Sequence, residues 1–575
     1  MGPTAHLPSR DELLRCAVWT AVIAAAFVLS RPYEGIKHDG ILYLAQALFR
    51  LYPDIFGGDV FFRWGSQDQY TLFTPAYAVL IARIGLNEAN IALVVLSQIL
   101  FLVCSYALVR ALVEPGLRGF AMLLLVCGTG IYGAGLTFRL AEPFVTPRPI
   151  AEAITLLAVA LLMHGYRIRA LLLLIAGAAL HPLVALAGML YWWLHHVILD
   201  RRWAWMLLAG IAPVLAAIAG IAPFAQLFQQ FDQEWLGILF ENNYNLFITR
   251  WTLQDWTFVA CDLVILGISL RLTDGRLRNA LKTAVATALV GLGAAFVGAD
   301  LLQNVLLSNI QAWRVLWLVH WLAVATLPIV ISRLWREGSP GRMVAGLIVF
   351  CFITRGLPAS LAASTVAAGL FWYRDRIVTG DRVVQGVSAA LSAAAYLAWF
   401  NNTSREHDSA FFDAINPIGD FIVRSISKPF VLLVVGIAIA MFTIKRRNRV
   451  LAAIAASGFL AFACLAWDQR TPYRAYIESV PIGSHPFSRL VAPLEEVYWR
   501  NDLVAPWFMM LRRSYFSVWQ QSGQMFNRST AMDMERRGRA LAMLDLQETV
   551  CAAMNSLNRR YDTCEPDLPV LQEMC

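Results

Sequence analysis

The chain has 575 residues, 58% of them apolar and 15% charged, with a mean hydropathy of +0.57. Soluble domains carry roughly 25% charged residues, so this composition excludes an ordinary soluble fold and makes lipid the natural solvent. The net charge of +8 comes mainly from arginines in short loops between apolar runs, where they orient a membrane protein; no basic surface suited to nucleic acid is expected.

Apolar runs of about 20 residues recur along the chain, broken by clusters of Arg, Asp, Gly and Pro. That period predicts membrane-crossing helices and argues against a β-barrel, whose strands alternate over about 10 residues. The first run, Leu13 to Ser30, follows Arg10 and Arg15 and has no small-residue cleavage site before Arg31. It is expected to stay as a first helix with a cytoplasmic N-terminus. Residues 31–70 are too polar to span and too apolar for a free linker. They predict short amphipathic helices in the outer interface, where aromatic rings are favoured.

Further spans are expected to start near Thr71, Ile91, Gly119, Ile150, Ala170, Trp203, Trp256, Lys282, Trp313, Met343, Pro358, Val383, Phe430 and Val450. The fold class is therefore all-α integral membrane, a polytopic bundle of about 13–15 spans over residues 1–467. Arginine-rich loops at 201–202, 271–282, 333–342, 374–382 and 445–449 read as cytoplasmic. This places Phe224 to Asp255, Asp300 to Ala312, Asn401 to Ser427 and the tail on the outer side. Strict alternation conflicts with the charge rule between residues 71 and 200, and a helix broken near Thr71 or at His181-Pro182 would resolve it. The tail, 468–575, mixes charges with Tyr473, Tyr476, Tyr498, Trp499, Trp507, Tyr515 and Trp519, a composition expected to form a small extracytoplasmic domain. Of nine cysteines, six lie in or beside apolar runs. Cys551, Cys564 and Cys575 lie in the tail, and Cys551 with Cys564 is the expected disulfide if the tail meets an oxidising compartment.

The densest chemistry follows the first helix, in the run Tyr33 to Ala47. Asp39 and Tyr43, four residues apart, share one helical face. A carboxylate at the membrane surface can take a proton from an acceptor hydroxyl when neighbours exclude bulk water; the plainer role is an N-cap for the helix starting at Gly40. Asp59, in Gly57-Gly58-Asp59, is first a turn residue and second a further acidic site. Arg139, Glu142, Arg148 and Glu152 cluster at the mouth between two spans, where unpaired charge is costly and a lined cavity is implied. Arg139 or Arg148 suits a phosphate, against a helix-end pair of Arg139 with Glu142. His181 stands before Pro182 inside an apolar run, and a lone intramembrane His more often satisfies neighbouring backbone than performs chemistry. Glu241 to Phe247 and Trp313-Arg314 are weaker candidates for sugar or phosphate contact. The chain contains no GxxxxGK[ST], HExxH or GxSxG motif, which disfavours an ATP-driven pump and the common hydrolases. No metal-ligand spacing assigns a divalent metal.

With its retained first helix, an outer loop carrying His38-Asp39 and Tyr43 about nine residues beyond it, a polytopic bundle and a polar tail, the sequence resembles the GT-C superfamily of membrane glycosyltransferases. The motif-level likeness covers 31–70 and 137–152. The resemblance implies transfer of a sugar from a polyprenyl-phosphate carrier to a lipid, glycan or protein acceptor outside the cytoplasm; the short loops and sparse Lys make a bacterial inner membrane the expected location. Asp39 would be the base; His38, Tyr43, Asp59, Arg139, Glu142, Arg148 and His181 would line the substrates, with an arginine on the leaving phosphate. Gly40 follows Asp39 where better-known members have two adjacent acidic residues, and no WWD-type signature stands in the tail. Two other polytopic classes fit parts of the pattern: a transporter or flippase of lipid-linked sugars, which predicts inverted repeats, and a glycan polymerase or ligase, which would place its chemistry near 224–255 or 300–314.

Overall fold

The computed structural model describes residues 9–376 apart from 66 and 129, parts of 380–394, residues 428–443, 448–500 and 502–558, and residues 564 and 569. Its helices in chain order are α1 (Arg10–Ser30), α2 (Asp39–Leu51), α3 (Pro53–Phe56), α4 (Phe73–Ile84), α5 (Leu86–Leu112), α6 (Arg118–Cys127), α7 (Arg148–Met163), α8 (Arg167–Leu180), α9 (Pro182–Leu199), α10 (Ile211–Ile218), α11 (Gln233–Asn242), α12 (Leu253–Leu272), α13 (Gly275–Ala295), α14 (Val305–Ile310), α15 (Leu316–Arg336), α16 (Ser339–Ile353), α17 (Pro358–Tyr373), α18 (Pro429–Phe442), α19 (Arg449–Leu465), α20 (Pro472–Ser479) and α21 (Arg528–Asn558). Between α6 and α7 a two-residue antiparallel hairpin pairs β1 (Ile131–Tyr132) with β2 (Phe138–Arg139), with Ile131 opposite Arg139 and Tyr132 opposite Phe138.

Among the described residues, seven helices are long and apolar enough to cross a membrane, including α1, α5, α9, α12 and the continuous stretch Val305–Arg336. Five shorter apolar helices of 10–17 residues accompany them. The protein is thus an all-α, polytopic membrane protein. Residues 401–427, expected on the outer side, most of the span expected from Val383, and Cys575 lie outside the described residues.

Local chemistry explains the element ends. Ser9 and Glu12 form a capping box that satisfies two orphan N–H groups at the start of α1. The long apolar run 170–199 is broken into α8 and α9 at His181-Pro182, because proline has no N–H to continue the ladder. His181 then caps α9, its Nδ1 accepting from Val184 N at 3.2 Å. α15 runs through the middle of the bundle, packing on α6, α12, α13 and α16. Its buried Trp317 donates from Nε1 to Val184 O at 3.1 Å, so a polar indole atom is satisfied inside the apolar core.

The tail folds back onto residues 31–70. Tyr33 N donates to Trp467 O at 2.7 Å and Gln469 N donates to Tyr33 O at 2.9 Å, while the buried Tyr33 hydroxyl donates to Glu478 at 2.6 Å. Tyr33, Phe56, Phe61 and Phe62 from the first loop share one apolar cluster with Ile477, Leu503, Trp507 and Phe508 from the tail. Cys551 and Cys564 form the disulfide anticipated from their positions, with Cα atoms 5.7 Å apart.

Candidate functional site

Three segments distant in sequence converge on Asp39: the start of α2, the turn 140–148 entering α7, and residues 311–314 before α15. Asp39 begins α2, and the N-cap position falls to His38, whose side chain makes no cap hydrogen bond. The capping role expected for Asp39 is therefore corrected: its carboxylate points to Arg148, whose Nη1 donates to Oδ2 at 2.7 Å. His38 Nδ1 lies 3.1 Å from Asp39 Oδ1. The same guanidinium donates from Nε to Glu142 at 2.9 Å, and Thr146 Oγ1 donates to that Glu142 oxygen at 2.8 Å. The expected Arg139–Glu142 pair does not form; Arg148 takes that place because Pro147 and Pro149 turn the chain and set Arg148 at the first position of α7. Arg139, in β2, is half-buried and within electrostatic reach of Arg31.

Charge in this cluster is unevenly satisfied. Arg148 is 2% exposed and carries two carboxylate partners, yet its Nη2 has no hydrogen-bond partner. Arg314 is 8% exposed. Its Nε donates to Gln311 Oε1 at 2.8 Å, and among the described residues no partner engages its two terminal nitrogens. Both guanidinium groups lie over the ring of Phe138, Arg314 at 4.0 Å and Arg148 at 5.0 Å from the centroid, so one hairpin aromatic backs both cations. Burial opposes ionisation of Asp39, but the Arg148 guanidinium and the neighbouring His38 overcome it and hold the carboxyl well below the usual carboxylate range. Burial pushes the Tyr43 phenol up to about 12, so it stays a neutral donor in the field of Arg148 and Asp39. Asp39 retains 21% exposure of its side chain, which leaves it reachable.

The backbone is strained around this cluster. Among the described residues, non-glycine positions with positive φ include His38 (50°), Leu136 (52°), Ala141 (50°) and Gln311 (46°). They stand beside Asp39, in the hairpin turn, beside Glu142 and before Arg314. Such conformations cost about 1–3 kcal/mol each and concentrate where side chains must be aimed.

The remaining sequence candidates divide. His181 lies within electrostatic reach of Arg314, Arg148 and Asp39, although its Nδ1 is used as the α9 cap. Asp59 belongs elsewhere: it is fully buried and accepts from Phe61 N, Trp507 Nε1, Ser514 N and Gln520 Nε2 at 2.8–2.9 Å. Four donors occupy its lone pairs, so as a second acidic site for substrate it is corrected to the fastener between first loop and tail. Burial raises the Asp59 carboxyl and those donors oppose the rise. Sequence reading gave Arg314 little weight and missed Phe138 and Trp519, whose ring meets His38 at 5.5 Å; only their aromatic or cationic character hinted at them. Among the described residues no group of three or more His, Cys, Asp or Glu side chains is arranged to hold a metal ion.

Fold and site together define a polytopic helical membrane protein with an Asp39–Arg148–Glu142 cluster and, beside it, a buried guanidinium whose terminal nitrogens have no partner among the described residues. No protein-family model, no curated protein and no solved structure matches the chain.

Proposed function

We propose that the protein is a membrane glycosyltransferase of the GT-C type, moving a sugar from a polyprenyl-phosphate carrier to a hydroxyl acceptor on the extracytoplasmic face, with Asp39 as base. The observation that carries this reading is the shared Phe138 ring: it sets a reachable carboxylate, through Arg148, beside a buried Arg314 whose terminal nitrogens are unengaged among the described residues. That is the pair of functions that glycosyl transfer from a phosphate needs.

In the proposed step Asp39 accepts the acceptor's hydroxyl proton and the oxygen bonds to the anomeric carbon. The carbon–oxygen bond to phosphate breaks, and the departing phosphate gains a negative charge. Arg314 meets that charge in a water-poor setting where a preorganised cation counts most. Arg148 keeps Asp39 ionised at the expense of basicity; sharing Arg148 with Glu142 limits that loss. A weak base is adequate where the sugar has oxocarbenium character, because the attacking hydroxyl becomes acidic as its bond forms. An apolar cavity of about 500 Å³ lies among α6, α15, α16 and α18, lined by Leu124, Gly128, Ile331, Phe352 and Leu433. It falls in the size range of ligand pockets and suits a carrier's tail, reaching Gly128 just ahead of the hairpin.

A structural disulfide is formed and kept in oxidising compartments, so Cys551–Cys564 supports an extracytoplasmic tail, and the tail's packing on residues 31–70 favours Asp39 on that side and a cytoplasmic N-terminus. The short loops and sparse Lys favour a bacterial inner membrane. The break at His181-Pro182 also suits a flippase of lipid-linked sugars. Purified protein in lipid nanodiscs, given a panel of polyprenyl-phosphate sugars, separates the two: turnover in wild type lost in Asp39→Asn with binding retained supports the transferase. Binding without turnover in either protein would move the assignment to the flippase.

A further inference from the structure

A second ionisable cluster lies inside the bundle, apart from the Asp39–Arg148–Glu142 cluster, and its Arg355 borders the apolar cavity described above. Asp262 of α12, His320 of α15 and Arg355 just beyond α16 are all buried. Arg355 Nη2 donates to Asp262 Oδ2 at 2.6 Å, and His320 Nδ1 lies 3.0 Å from Asp262 Oδ1. Arg355 Nη1 is 3.1 Å from His320 Nε2. Since a guanidinium only donates, Nε2 accepts and the imidazole proton sits on Nδ1, facing Asp262. The triad is thereby internally neutralised, and Arg355 also reaches backbone beyond it: Nη1 donates to the carbonyl of Ile131 at 2.9 Å and Nη2 to that of Phe258 at 3.4 Å.

Ile131 is the first residue of β1. The hairpin it begins is only two pairs long, and its Phe138 is the ring that backs both Arg148 and Arg314. α12 holds the other end, with Asp255 Oδ1 accepting from Gly135 N at 2.8 Å. The turn also nests on Trp313: a Cβ added at Gly133 (φ +69°) would lie 2.2 Å from that ring. A ribbon this short has no independent stability, so its place is set by these anchors.

We infer that Arg355, held by Asp262 and His320, is a positioning residue: it clamps the 131–139 hairpin so that Phe138 sets the two arginines of the anion site. Intramembrane charges are expensive to keep and tend to mark function; here the fork of Arg355 joins the ion pair to a backbone carbonyl, which a lysine's single nitrogen does not reproduce. The inference uses the transferase reading for its activity readout only.

The test compares wild type, Arg355→Lys and the charge-balanced double variant Asp262→Asn/Arg355→Met in nanodiscs. Deuterium exchange of amides 130–140 and affinity for undecaprenyl phosphate are measured alongside KM and kcat for a polyprenyl-phosphate sugar. In the double variant, exchange rises in 130–140 alone, undecaprenyl phosphate binds more weakly, and kcat falls about 100-fold, the loss of rate expected of an ångström-size displacement; Arg355→Lys falls between wild type and the double variant. Wild-type exchange and affinity in the double variant, or exchange raised throughout the bundle, overturns the clamp. Raised exchange confined to the hairpin in a protein whose wild type neither binds nor turns over the carrier sinks the transferase reading and leaves the clamp standing.

Discussion

Replacing Asp39 by Asn removes the proposed base and one charge from a buried pair, and the two effects separate in size. Asparagine keeps a carbonyl oxygen able to accept from Arg148 Nη1, and Arg148 keeps Glu142 as counter-ion at 2.9 Å. What is lost is the difference between a charged and a neutral hydrogen bond at a side chain 21% exposed, about 1–2 kcal/mol of stability. General-base catalysis contributes about 10²–10⁴ in rate, or about 3–5 kcal/mol of barrier, so turnover falls much further than stability. Release of polyprenyl phosphate in nanodiscs, followed with the thermal midpoint, measures both. Turnover within threefold of wild type in a folded Asp39→Asn protein would refute the base assignment, whatever the midpoint.

The pH dependence carries a sign. Asp39's carboxyl is depressed in the folded protein, so its contribution to stability is complete above the unfolded value of about 3.9 and is lost only as pH falls through the lower, folded value. The stability gap between wild type and Asp39→Asn therefore does not shrink from pH 8 to pH 5.5; a gap that closes at pH 5.5 contradicts the ionised pair. Arg314→Gln removes a guanidinium whose terminal nitrogens bind nothing among the described residues, so KM for the carrier sugar rises by about 10- to 100-fold, the worth of a charged hydrogen bond or two; an unchanged KM and kcat removes Arg314 from the phosphate site. Asp59→Ala leaves four buried donors unpaired and destabilises the junction of first loop and tail by about 3–5 kcal/mol, read as faster proteolysis of the tail; unchanged protection shows the junction to be held without it. Gly133→Ala is strained at φ +69° and meets Trp313, so it displaces the hairpin and lowers activity with the helices intact; full activity would detach the hairpin from the site.

What was legible from sequence depended on the range of the force involved. Membrane character, the first helix and the polar stretch behind it follow from runs of apolar residues, because transfer into lipid is summed locally along the chain. The break at His181-Pro182 was one of two resolutions open to the sequence, and the Cys551–Cys564 pairing followed from where the polar tail keeps its cysteines. Asp39 stood out for its residue type, yet its cap role failed because a partner 109 residues away, Arg148, outcompetes the local backbone for a carboxylate in a low-dielectric site. The same contest of local against distant partners moved Glu142 from Arg139 to Arg148 and turned Asp59 from a loop acid into a buried fastener for a tail some 450 residues on. Arg314, Phe138 and the Asp262–Arg355–His320 triad carry no spacing signal. Composition and periodicity alone determined that this is a helical membrane protein with an acidic loop behind its first helix. Which charges meet was decided only by the tertiary structure, because ion pairs and ring contacts join residues that helix packing brings together and that no sequence period links.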